Sequence, residues 1–197
     1  EDANIDRRAL AERASHLLLG MIFEDGFFHA DPHPGNFFVE PGGRIGLIDF
    51  GMVGTVDERT REQLAGVLLA VSARDADRLV DTFLELGVAR RRLDRVALRQ
   101  DLRLLLERYY DRPLGEIRLG ALVSDTLATV RRHHLQLPSV LALLLKTVVM
   151  SEGLAAQLDP TFHLTGVLAP YARRLLIEQY SPRRWARRFG RTSLDAA

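Results

Sequence analysis

The chain opens with apolar residues at helical spacing, Leu10, Ala14, Leu17, Leu18, Met21 and Ile22, which predict an amphipathic helix stopped by Asp25-Gly26. The period then changes. Phe37-Phe38-Val39 and Arg44-Ile45-Gly46-Leu47-Ile48 flank the turn-forming run Glu40-Pro41-Gly42-Gly43, so this stretch predicts a short hairpin. After Gly54 the helical period returns. Leu64, Leu68 and Val71 mark one helix, and Leu79, Val80, Phe83 and Leu84 a second that ends at Gly87. Leu98, Leu102, Leu105, Leu106 and Tyr109 mark a third, and Leu119 to Val130 a fourth ahead of Arg131-Arg132-His133-His134. These stripes read as core-facing and without chemistry, and the paired histidines as exposed helix-end residues. The apolar run Val140 to Met150 holds eleven residues with one Lys, too short for a bilayer span and suited to a buried core helix. The pattern predicts an α+β chain, predominantly helical, with one short hairpin and no transmembrane segment.

Chemistry concentrates where the period breaks. His29-Ala30-Asp31-Pro32-His33-Pro34-Gly35-Asn36 precedes the hairpin, and Asp49-Phe50-Gly51 follows it. Pro32, Pro34 and Gly35 exclude a regular helix or central strand, leaving an irregular loop with fixed side-chain directions. An Asp, an Asn five positions later and a second Asp before Phe-Gly form the oxygen set used for magnesium-assisted phosphoryl transfer. Magnesium keeps several waters and takes few protein oxygens, so Asn36 and Asp49, at the two ends of the hairpin, suffice as its ligands. Asp31 is left to accept or orient the proton of a nucleophile. His29, His33, Gly35, Phe50 and Gly51 are assigned to structuring the loops.

Other readings account for less. His29, Asp31 and His33 could in principle ligate zinc, but the prolines disfavour a one-faced strand and Asp49-Phe50-Gly51 is then unexplained. An aminoglycoside- or choline-kinase-like phosphotransferase also pairs His-x-Asp with a later Asn, although that family more often lacks Phe-Gly after its second Asp. A Pro-rich surface turn explains neither spacing.

At 197 residues and 47% hydrophobic content, the chain suits one sizeable domain. It has no cysteine, which excludes disulfides and thiol-based metal sites or nucleophiles. The net charge of +1 divides into −4 over residues 1–169 and +5 from Pro170 onward. Arg173, Arg174, Arg183, Arg184, Arg187, Arg188 and Arg191, with Trp185 and Phe189 among them, would suit an anionic membrane surface or a solvated helix end. The expected division is thus a kinase-like domain over 1–169 and a basic tail over 170–197. The only lysine is Lys146, read as extending its stem along a helix with its ammonium in water. A kinase's phosphate-binding Lys and Gly-rich loop precede the catalytic loop, so the chain, opening on Glu1, reads as an excerpt of a longer protein.

Asp25-Gly26-Phe27-Phe28-His29-Ala30-Asp31-Pro32-His33-Pro34-Gly35-Asn36 closely resembles the catalytic loop of the AarF/UbiB-like (ADCK group) atypical kinases. Leu137-Pro138, Ser151-Glu152-Gly153 and Leu158-Asp159-Pro160 recur in that family's order. The resemblance implies the larger, C-terminal lobe of a protein-kinase-like fold that takes ATP and Mg2+ and supports ubiquinone biosynthesis. It also implies residence at the cytoplasmic face of a membrane, with a nucleotide and a quinone-pathway lipid or protein as partners and no nucleic acid. A non-catalytic pseudokinase scaffold switched by nucleotide is the contrasting class.

Overall fold

The computed structural model describes residues 6–73, 75–86, 93–110 and 117–179. Gly87 and the tail residues Arg183, Arg184, Trp185, Arg187, Arg188, Phe189 and Arg191 lie outside them. Helix α1 (Arg7–Gly20) starts at Asp6, whose carboxylate accepts from the amides of Arg8 and Ala9 at 3.0 and 3.1 Å, satisfying two donors that have no partner within the helix. Leu10, Ala14, Leu18 and Leu19 form its buried face. A π turn, Met21–Asp25, continues it, and the helix ends where Gly26 takes φ +69°.

The sheet structure is two separate antiparallel ribbons. Strand β1 (Phe27–His29) pairs with β4 (Val53–Thr55), with Phe28 opposite Gly54, and β2 (Phe37–Val39) pairs with β3 (Ile45–Leu47) as the expected hairpin. The β1–β4 ribbon was not legible from the sequence, because no local turn joins its two strands, whereas the equally short β2 and β3 flank a single turn-forming run. Gly54 fits its place sterically, since a Cβ there would lie 2.3 Å from the Phe28 ring.

Helices α2 (Glu58–Ser72), α3 (Ala76–Leu86), α4 (Arg95–Tyr110) and α5 (Leu119–Arg132) form a stack. It is closed by Ala70, Leu79, Val80, Phe83, Leu98, Leu102 and Val130. Helix α6 (Ser139–Leu158) packs mainly on α1 and α5, and α7 (Leu164–Gln179) on α1 and α2. The structure is mostly helical, as expected. Two expectations need correction. His133 is not an exposed helix-end residue: its ring is 9% exposed and meets Asp101 Oδ2 at 2.8 Å, whereas His134 is exposed. Helix α6 is also longer than its apolar run. At 20 residues it is, by length and composition, the one helix among the described residues able to cross a membrane. It continues through Ser151-Glu152-Gly153 because those polar groups are satisfied inside the fold. Ser151 Oγ donates to Thr147 O at 2.7 Å, and Glu152 accepts from the amides of Leu119 and Gly120, both at 2.7 Å, capping α5. Helix α7 runs through position 170 with Pro170 inside it, so the basic stretch begins within a helix.

Candidate active site

A second apolar cluster, Ile22, Phe28, Ala30, Val56, Leu141 and Leu144, lies beneath the loop that follows β1. Phe28 and Ala30 are wholly buried, so the loop leaves the protein on a fixed base. His29, also wholly buried, links the two motif segments. Its Nδ1 accepts from the Asp31 amide at 3.1 Å, so its Nε2 carries the hydrogen and donates to Ile48 O at 3.0 Å. The ring of Phe50 meets it edge-on with centroids 5.2 Å apart. The loop is further tied by Ala30 N donating to Met52 O at 3.0 Å.

Pro34–Asn36 forms a single 3₁₀ turn capped by His33, whose Nδ1 accepts from the Gly35 amide at 3.0 Å. A Cβ at Gly35 would lie 2.8 Å from the His33 ring, so a side chain there would displace that ring. Asn36 is 4% exposed, and its Nδ2 donates to Asp31 O at 3.0 Å, which points its amide oxygen away from that carbonyl. The Ile48 amide donates to Asn36 O at 3.0 Å, so the hairpin brings Asn36 next to the residue preceding Asp49. Asp49 takes φ +58°, in the left-handed region that Asp tolerates better than most residues, and its Oδ1 accepts from the Gly51 amide at 3.2 Å.

Asp31 is about one-third exposed. Lys146 Nζ approaches its Oδ1 at 3.2 Å, and His33 Nε2 lies 3.8 Å from its Oδ2. Lys146 also contacts Met52 Sδ at 3.5 Å. The expectation of an ammonium placed in water is met only in part: the side chain is 42% exposed, yet it reaches from α6 to the loop, 115 positions earlier in the chain. Sequence reasoning missed this contact. The available signal was that the chain's only lysine sits inside an apolar helix.

A family model described as the ABC1 atypical kinase-like domain matches residues 1–83, and one described as the UbiB helical domain matches residues 102–163. The protein named "Probable protein kinase UbiB" of Xanthomonas euvesicatoria pv. vesicatoria (strain 85-10) is 34% identical over 195 residues, covering 96% of this chain and 35% of that protein. Proteins of the same name from Xanthomonas axonopodis pv. citri (strain 306) and Xanthomonas oryzae pv. oryzae (strain MAFF 311018) are each 35% identical over 188 residues, covering 92% of this chain and 34% of theirs. The chain thus spans about a third of the length of the curated relatives it matches. Two domain models of one family follow each other along the sequence, and relatives align over nearly all of it: the chain belongs to the ABC1/UbiB atypical kinase-like family.

Proposed function

We propose that this chain is the larger, catalytic lobe of an ATP- and magnesium-dependent atypical kinase or ATPase that supports ubiquinone biosynthesis. The observation that carries the proposal is the linkage of Asp31, Asn36 and the Asp49 segment through His29, the Asn36 amide and the Ile48 amide. Asn36 and Asp49 offer an amide oxygen and a carboxylate, the hard donors that suit magnesium, and both are held by hydrogen bonds in their own loops. When bound there, magnesium would neutralise phosphate charge. Asp31 takes or orients the proton of the attacking hydroxyl. His29 keeps Asp31 in register with the Asp49 segment.

Phe38, Ile48, Phe50 and Met52 are exposed around the same loops, an apolar rim that a covering lobe or a nucleotide base would bury. Phosphoryl transfer depends on positioning and charge stabilisation, so the lobe alone is expected to be inactive. The basic stretch remains a proposed contact with anionic lipid at the cytoplasmic membrane face, with Arg174 excluded because it pairs with Glu24. Single-turnover ATP hydrolysis by the intact protein, compared with Asp31→Asn, tests the central claim. Retained turnover in the variant would remove Asp31 from the mechanism and leave the scaffold reading.

A further inference from the structure

Asp31 and its loop lack a cation of their own. Between Gly26 and Val56 the sole Lys or Arg is Arg44, which lies on the hairpin turn and pairs with Glu40 at 3.6 Å. His33 is committed through Nδ1 to the Gly35 amide. A phosphoryl group passing to a nucleophile held by Asp31 nevertheless develops negative charge beside that carboxylate, and a fixed positive group there lowers the barrier.

Lys146 is placed to be that group. Its Nζ is 3.2 Å from Asp31 Oδ1, and Met52 Sδ lies 3.5 Å from it. The position of its helix is set by packing: Leu141 and Leu144 belong to the cluster that holds Phe28 and Ala30 under the loop, and Thr147, the next residue, is wholly buried. The ion pair itself is solvent-accessible, with the lysine side chain 42% and the aspartate 34% exposed. Pairs this exposed contribute little to stability. A role in holding the fold therefore accounts poorly for it, whereas an accessible ammonium beside the reacting carboxylate can reach a ligand.

We propose that Lys146 binds the terminal phosphate of the nucleotide and stabilises its transfer, acting as the loop's missing cation from a distant helix. This rests on the kinase reading of Asp31. In the transfer, a lone pair of the attacking hydroxyl oxygen forms the new bond to the terminal phosphorus. The bond from that phosphorus to the bridging oxygen breaks, with its electron pair leaving on ADP, and the hydroxyl proton passes to the Asp31 carboxylate. The ammonium keeps its protons throughout and turns from Asp31 Oδ1 toward the phosphoryl oxygens.

The test uses the intact protein and its Lys146→Met and Lys146→Arg forms, with competition against a fluorescent nucleotide to measure MgATP and MgADP affinity separately. Methionine matches the lysine stem and lacks the charge. Lys146→Met is expected to bind MgADP within about twofold of the unsubstituted protein and to lose roughly tenfold or more in MgATP affinity, the scale of one charge-assisted contact. Lys146→Arg is expected to recover most of that preference, and single-turnover transfer should fall about 100-fold in Lys146→Met. An unchanged MgATP-to-MgADP ratio in Lys146→Met overturns the inference while leaving the kinase reading in place. Faster turnover in that variant also overturns it, since the lysine would then be restraining Asp31. Failure of the unsubstituted protein to bind either nucleotide overturns the kinase reading itself, and the inference with it.

Discussion

Leu98 and Leu102 in the α2–α5 stack are wholly buried, while Phe38, Phe50 and Met52 around the two ribbons are 56%, 49% and 43% exposed. The stack places each apolar stripe against another helix and its charges outside, as in Arg108 with Asp125 and Arg132 with Asp101. The ribbon end mixes the two kinds of burial. It buries His29 and Asn36 alongside Phe28, and exposes Phe38, Phe50 and Met52. Burying a polar group without a partner costs free energy, and His29 and Asn36 escape that cost through hydrogen bonds to Ile48 O and Asp31 O. The difference is that buried polar groups at the ribbon end are held by specific partners, while the stack's burial is mainly apolar.

That contrast can be broken most sharply at Asp31. In the intact protein, Asp31→Asn should lower single-turnover phosphoryl transfer by roughly 100- to 10,000-fold, the range for loss of a positioned acid–base group, with little change in thermal midpoint. A large fall in midpoint would mean that the carboxylate serves the fold. Leu102→Ala, in the stack, should do the opposite. A cavity at a wholly buried leucine costs about 2–5 kcal/mol by denaturant titration, while nucleotide affinity of the folded fraction stays unchanged. A loss under 1 kcal/mol would show that the stack is less tightly packed than its burial implies.

Gly54→Ala, in the β1–β4 ribbon, should affect packing and site together. Its new methyl would meet the Phe28 ring, so overpacking of about 1–3 kcal/mol is expected together with weaker nucleotide binding, because Phe28 underlies the loop. Stability loss without any binding change would uncouple the cluster from the site. The smallest effect concerns Asp101, whose carboxyl is held below the ordinary carboxylate value chiefly by its hydrogen bond with His133, helped by Arg132. A carboxylate with a lowered folded value contributes stability that is complete above the unfolded value and is lost as pH falls through the folded one. Acid unfolding of Asp101→Asn should therefore be less steep in the carboxylate range than that of the unsubstituted protein, with site ligand binding at neutral pH unaffected. Identical acid profiles would show that this pair does not contribute.

Much of this molecule could be read from the chain. Periodicity located the helices from Leu10 through Val130 because each buries one stripe, and residue type and spacing singled out Asp31, Asn36 and Asp49 as candidates, which the loop and hairpin tie together through Asp31 O and the Ile48 amide. Reading α6 as eleven residues failed because Ser151, Glu152 and Gly153 look like a helix end locally, yet Glu152 finds its partners 32 and 33 positions away. The same limit hid the β1–β4 ribbon, the burial of His133 against Asp101, and Lys146 at Asp31. The sequence by itself determined the periodic elements and the turn-bound motif, since those depend on near neighbours along the backbone. Only the tertiary structure decided which distant polar groups meet, because such partners are set by how the apolar faces of α1, α5 and α6 pack together, and no local pattern records that packing.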